Sequence, residues 1–206
     1  MAKKERYTCE SALAPGSMWH CEGEQYLPGF LPRIYFIPKS HIVGWPKLPN
    51  SIGADEDMDV LASYKGNFKL AAGKFWQSID VFADKSPGGV EVQGEKPSKT
   101  YLNRFTGVVS KVGKSEAGFS RVANNSDYVY LVQNKIGDFR VIGNEMYQTN
   151  TDCTLNTGAS ATDTDAGMSI EVTCTDVAHM PFYTGEILVA DAEDANAPEV
   201  EVPEGE

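Results

Sequence analysis

Short runs of β-branched and aromatic residues recur along most of this chain, with turn-forming residues between them at intervals of about eight to twelve positions. That rhythm predicts a mainly β protein, an antiparallel β-sandwich or barrel of nine or ten short strands. The expected strands cover 33–37 (resumed at 41–45 after Pro38), 74–81, 90–93, 100–111, 128–133, 139–142, 146–147, 153–155, 169–174 and 184–189. Prolines at both ends of the first suit a strand at a sheet edge. Pro87-Gly88-Gly89 reads as a turn, with an antiparallel meander around it, and Val90-Glu91-Val92-Gln93 alternates as a strand with one wet face does. Asn134 to Asp138 joins two strands as a hairpin.

One segment has helical spacing instead. Ser115 is placed to cap a helix over about 114–124, Glu116 suits its positive end, and Asn124-Asn125 closes it. Phe119, Val122 and Ala123 make one face apolar. A helix of about ten residues with Gly118 inside needs a sheet to pack on.

Two long segments break the strand rhythm. Residues 1–31 form an irregular N-terminal arm with Pro15-Gly16, Glu22-Gly23 and Pro28-Gly29 as breakers. Residues 46–66 make a long loop inside the sandwich domain, which spans 32–190. A loop of that length within a compact domain is often functional. Its apolar residues Leu48, Ile52, Met58, Val60 and Leu61 either fold back on the body or dock on a neighbour, and together with Trp45 they form the expected subunit interface.

The chain has 206 residues, 18 basic and 29 acidic, for a formal charge of -11. Seven of the acids lie in 191–206, an acidic tail expected to be disordered. The body is only mildly acidic, which disfavours binding of nucleic acid through its phosphates. Neither a secretory leader nor a run of about eighteen apolar residues is visible, so folding in a cytoplasm, with no membrane partner, is expected. There the four cysteines (Cys9, Cys21, Cys153, Cys174) stay reduced. Cys153 and Cys174 suit cross-strand neighbours on one sheet face.

Candidate chemistry is sparse. Cys9, His20 and Cys21, with His41, hold zinc-type ligands, but His20 and Cys21 are adjacent and a knuckle spaces its ligands two to four residues apart. Asp55, Glu56, Asp57 and Asp59 fail the calcium-loop pattern, because Val60 and Gly66 stand where glycine and glutamate are required. No hydrolase, phosphate-loop or dinucleotide motif occurs. The expectation is no enzyme, no metal and no cofactor.

The phrases Gly73-Lys74-Phe75-Trp76-Gln77-Ser78-Ile79-Asp80, Gln93-Gly94-Glu95-Lys96, Gly118-Phe119-Ser120-Arg121-Val122-Ala123-Asn124-Asn125, Tyr128-Val129-Tyr130-Leu131-Val132-Gln133, Arg140-Val141-Ile142-Gly143 and Pro181-Phe182-Tyr183-Thr184-Gly185-Glu186 follow one another in 68–189. In that layout the chain resembles the major tail tube proteins of long-tailed bacteriophages. The resemblance implies a β-sandwich with a flanking helix that assembles into hexameric rings stacked as a tube. It also implies other tail proteins of the virion as partners, assembly in the host bacterial cytoplasm, and DNA passing through the channel without specific binding. On that reading, 1–31 and 46–66 contact neighbouring rings. Other virion roles (capsid decoration, tail terminator, neck) and a carbohydrate- or receptor-binding sandwich are the alternatives.

Overall fold

The structure is a computed structural model describing residues 28–53, 58–158 and 166–189. Cys9, His20, Cys21, Asp55, Glu56, Asp57, most of the arm and the acidic tail lie outside the described residues. The protein is mainly β, with one short α-helix. Its strands are β1 (Phe30–Pro38), β2 (Ile42–Gly44), β3 (Ser63–Tyr64), β4 (Lys69–Leu70), β5 (Gln77–Asp80), β6 (Gly88–Gln93) and β7 (Thr100–Val109). The helix α1 (Lys114–Ala123) follows, then β8 (Tyr128–Asn134), β9 (Phe139–Ile142), β10 (Thr149–Asn156), β11 (Gly167–Asp176) and β12 (Phe182–Tyr183).

Six strands form one sheet in the order β3-β12-β9-β8-β1-β5, and four form a second in the order β10-β11-β7-β6. Between them lies the inner core. Ile34 and Phe36 of β1 and Tyr128, Tyr130 and Val132 of β8 face Phe105 of β7 and Met168, Ile170 and Val172 of β11. The opposite face of the six-stranded sheet is buried too. Ile37, Val129, Leu131 and Val141 point outward there, under Tyr64, Phe68, Trp76 and Tyr183. Phe68 is the hub, with ring centroids 5.4 Å from Trp45, 5.5 Å from Trp76 and 5.1 Å from Tyr183. The uninterrupted apolar run Tyr128–Val132 follows from this, because a strand covered on both faces has no polar side.

α1 braces the open edge of the four-stranded sheet. Asn124, just past its end, accepts the Cys153 N–H at 2.7 Å through Oδ1 and donates Nδ2–H to the Cys153 carbonyl at 3.2 Å. Asp127 accepts the Thr149 N–H at 2.9 Å. Side chains thus occupy part of the edge of β10 that another strand would otherwise seek. Phe119 docks edge-on against Phe36, 5.1 Å between centroids.

Several expectations change. β1 is an interior strand, paired with β8 and β5, and its prolines are absorbed by a register shift between Phe30 and Ile34 and by Pro38 standing last in the strand. Gly88 and Gly89 belong to β6 and pair with Phe105 and Arg104. The turn lies earlier, at a 3-10 segment over Ala83–Lys85, and it carries the chain from one sheet to the other, so there is no simple meander. Gly88 suits its place because a side chain there would strike the ring of Phe30.

The expected 74–81 strand is ordered as strand only over Gln77–Asp80, with Trp76 bridging to Val189. Met146 and Tyr147 form a bend whose N–H groups are held by Asn144 Oδ1 at 3.0 and 2.7 Å. The late strand is Phe182–Tyr183, not 184–189. The helix starts at Lys114 with Gly113 before it, and Glu116 accepts the Gly113 N–H at 2.9 Å, so Ser115 is not the cap. Its buried residues are Ser120 and Ala123, while Val122 faces solvent. Cys153 and Cys174 share the core face of adjacent strands but are not neighbours, because Cys153 stands opposite Ile170 and Cys174 opposite Thr149. Both are free thiols that burial pushes up to about 11.

Candidate assembly surface

The long loop is anchored at its base. Lys47 and Lys65 exchange both backbone hydrogen bonds, Lys47 N–H to the Lys65 carbonyl at 3.1 Å and the reverse at 2.8 Å. The described residues between them include a 3-10 segment over Met58–Ala62, after which Ser63 Oγ donates to the Asp59 carbonyl at 2.8 Å. The first part of the loop folds back onto the body. Trp45 and Leu48 pack on the outer core, and the Lys39 ammonium stands 5.9 Å from the centre of the Trp45 ring. Val60 and Leu61 are half-buried. Ile52 and Met58 are exposed, Met58 by 62%. The six residues expected at a subunit contact therefore split in two. Four are wholly or partly engaged with this chain and two point outward.

A cleft of about 360 Å³ opens between the loop and the end of the four-stranded sheet. One wall carries Trp45, Lys47, Leu48 and Tyr64, and the other carries Asn144, Glu145, Met146, Tyr147, Asp176 and Val177. Asn144 shapes the second wall. Besides holding the 146–147 bend, it donates from Nδ2 to the Thr175 carbonyl at 2.8 Å. Lys39 donates to the Tyr147 carbonyl at 2.9 Å and tethers the same bend to the body.

Asp176 is 2% exposed. Its Oδ1 accepts the Val177 N–H at 2.6 Å, and its Oδ2 has no hydrogen-bond partner. Burial holds this carboxyl above the usual carboxylate range, with hydrogen bonds pulling weakly the other way. Burial likewise raises the nearby Tyr64 hydroxyl, and the charge of Asp176 adds to it. The rim is apolar and open, with Met146, Tyr147 and Val177 all exposed.

A second hollow, of about 430 Å³, lies at the other side of the 176–180 turn, among Phe30, Gly88, Asn134, Arg140, His179 and Met180. Arg140 stacks 3.5 Å over the Phe182 ring and donates to the Met180 carbonyl at 3.1 Å. Met180 has φ of 30°, a conformation that non-glycine residues seldom adopt, and its N–H is held by Asn103 Oδ1 at 3.0 Å.

Among the described residues, no three His, Cys, Asp or Glu side chains gather to hold a metal, and no helix is long and apolar enough to cross a membrane. The His179 ring lies tilted against Tyr101, 4.4 Å between centroids, and His41 ends a 3-10 turn. The cleft offers aromatic faces, carboxyls and an apolar rim, which suit it to grip a side chain. Sequence reasoning found Trp45 and Leu48 on one wall and missed Tyr64 beside them and Asn144 and Asp176 on the other. No local signal marked these, since a polar residue after a strand reads as a turn residue. Comparison of the chain with family models, with curated proteins and with solved structures finds no match to any of them.

Proposed function

We propose that this chain is a structural subunit that assembles with copies of itself, as a tail tube protein of a long-tailed phage does. One observation carries this reading. Exposed apolar residues stand on the rim of the cleft (Met146, Tyr147, Val177), and others (Ile52, Met58) stand on the loop whose Trp45 and Leu48 side forms the opposite wall. Isolated exposed apolar residues are ordinary, but a concentration of them beside a cleft marks an interaction surface. Burying such a surface stabilises a contact by about 25 cal/mol per Å² of apolar area before ordering costs.

Self-assembly by two different patches of one surface closes into rings, and stacked rings make a tube. The 46–66 loop and the arm are the segments expected to reach other rings. Other tail proteins of the virion would be further partners, and DNA would pass through without specific contact. Sedimentation velocity beside negative-stain microscopy of the purified full chain tests the reading. Rings or tubes are the expected result. A monomer persisting at tens of micromolar overturns it.

A further inference from the structure

The outer face of α1 is left exposed by the described residues. Its inner side is occupied, with Ser120 and Ala123 buried and Phe119 packed on the core. On the other side Lys114, Ala117, Gly118, Arg121 and Val122 are all exposed. Residues four, seven and eight positions apart share one face, so Lys114, Gly118, Arg121 and Val122 form a single stripe. Glycine is a poor helix former, yet a side chain at Gly118 would meet nothing within 4 Å. Nothing among the described residues requires glycine there, whereas a glycine in the middle of a stripe lets another backbone approach closely. Neither Lys114 nor Arg121 pairs with a carboxylate among the described residues.

The cleft described above is the complement. Glu145 is exposed and has no cationic partner among the described residues. Asp176 lies in the wall behind it with Oδ2 unpartnered. The cleft lining holds two carboxyls and the ammonium of Lys47, while the Lys39 ammonium beside it is paired with Asp127 at 3.5 Å. Its volume accepts one long side chain, not a whole helix. Arginine fits best, because a guanidinium bonds carboxylates through a planar fork and stacks on rings such as Trp45 and Tyr64.

We infer that the outer face of α1 in one copy docks on the rim of this cleft in a second copy. Arg121 enters beside Glu145 and Asp176, and Val122 packs against Met146 and Tyr147. The contact joins two unlike patches and is therefore head-to-tail. It rests on the self-assembly reading and names the surfaces that carry it.

Charge exchange tests it. Arg121→Glu and Glu145→Arg alter exposed side chains, so both variants should fold, with circular dichroism as the check. In sedimentation velocity of the full chain, each single variant should move the association midpoint about tenfold to higher concentration, and the double variant should recover most of that loss. Gly118→Leu improves the helix and blocks close approach, so it should impair association without lowering the thermal midpoint. Wild-type chains that assemble while both single variants assemble equally well overturn this contact and leave the assembly reading standing. Failure of the double variant to recover overturns the pairing in the same way. A wild type that stays monomeric overturns both.

Discussion

Asn124→Ala removes the clamp between α1 and the edge of β10. Two hydrogen bonds disappear, the 2.7 Å bond from the Cys153 N–H and the 3.2 Å bond to its carbonyl. The losses are unequal. The carbonyl keeps Ser120 Oγ at 3.2 Å, while among the described residues the N–H has Asn124 as its acceptor. An unmade bond at a buried donor costs about 1–3 kcal/mol. Asn124 itself is solvent-facing, so water can partly replace it, and the lower half of that range applies. The expected loss is about 1–2 kcal/mol, or roughly 2–8 °C in thermal midpoint for a chain of this size. Urea unfolding followed by tryptophan fluorescence should show a lower midpoint at unchanged slope. Asn125→Ala is the control. Its amide bonds only the Arg121 carbonyl at 3.2 Å on the exposed side, and the change should stay within about 0.5 kcal/mol. If Asn124→Ala is as mild as its control, the helix does not close that edge.

The remaining expectations concern the two cores and the cleft. Asp176→Asn should gain stability relative to wild type as pH rises. The folded carboxyl binds its proton more tightly than the unfolded one, whose pKa is about 3.8, so wild type loses stability between that value and the raised folded one. Urea midpoints at pH 4 and pH 7 check this, and a wild type that gains on Asn over that interval contradicts it. Trp76→Ala should cost about 3–5 kcal/mol, because the ring is 1% exposed beneath the outer layer, and calorimetry measures it. In a Cys9→Ser/Cys21→Ser background, Cys153 and Cys174 should ignore a thiol reagent at pH 8 until urea unfolds the chain, since both are buried with pKa values of about 11. Rapid labelling of the native protein would contradict their placement.

The strand-rich character, the lone helix and the hairpin of β8 and β9 were legible because local pattern determines them. Alternation, turn residues and a short amphipathic stretch each act within a few positions. What stayed hidden depends on distant partners. The prolines of β1 spoke for an edge, but β5 arrives from forty residues later to pair its other side. Gly88 read as a turn residue until the ring of Phe30 supplied a reason for glycine within a strand. Val122 matched the apolar face by spacing alone, whereas the sheet takes Ser120, whose hydroxyl bonds the Cys153 carbonyl. The cleft follows the same rule. Trp45 and Leu48 stood out as apolar residues in a loop, while Asp176 gains its character only from burial beside Asn144 and Tyr64.

The double coverage of β8 raises a problem of alignment. In a strand with one wet face, sliding by one residue exposes the apolar set and is heavily penalised. β8 lacks that safeguard over Tyr128–Val132, since both alternating sets are apolar and both are buried. Polar tips and side-chain sizes must fix its position instead. Tyr130 directs its hydroxyl to Thr151 at 2.9 Å within the inner core, while the smaller Val129 and Leu131 occupy the outer side. The turn after the strand acts as a second stop, with the Asn134 N–H on the Asp138 carbonyl at 2.8 Å and Gln133 Nε2 on the Gly137 carbonyl at 2.8 Å. Tyr130→Phe together with a lengthened 134–138 turn would therefore do more than weaken the fold. It would make two alignments of the central strand nearly equal in energy, and the chain would populate both.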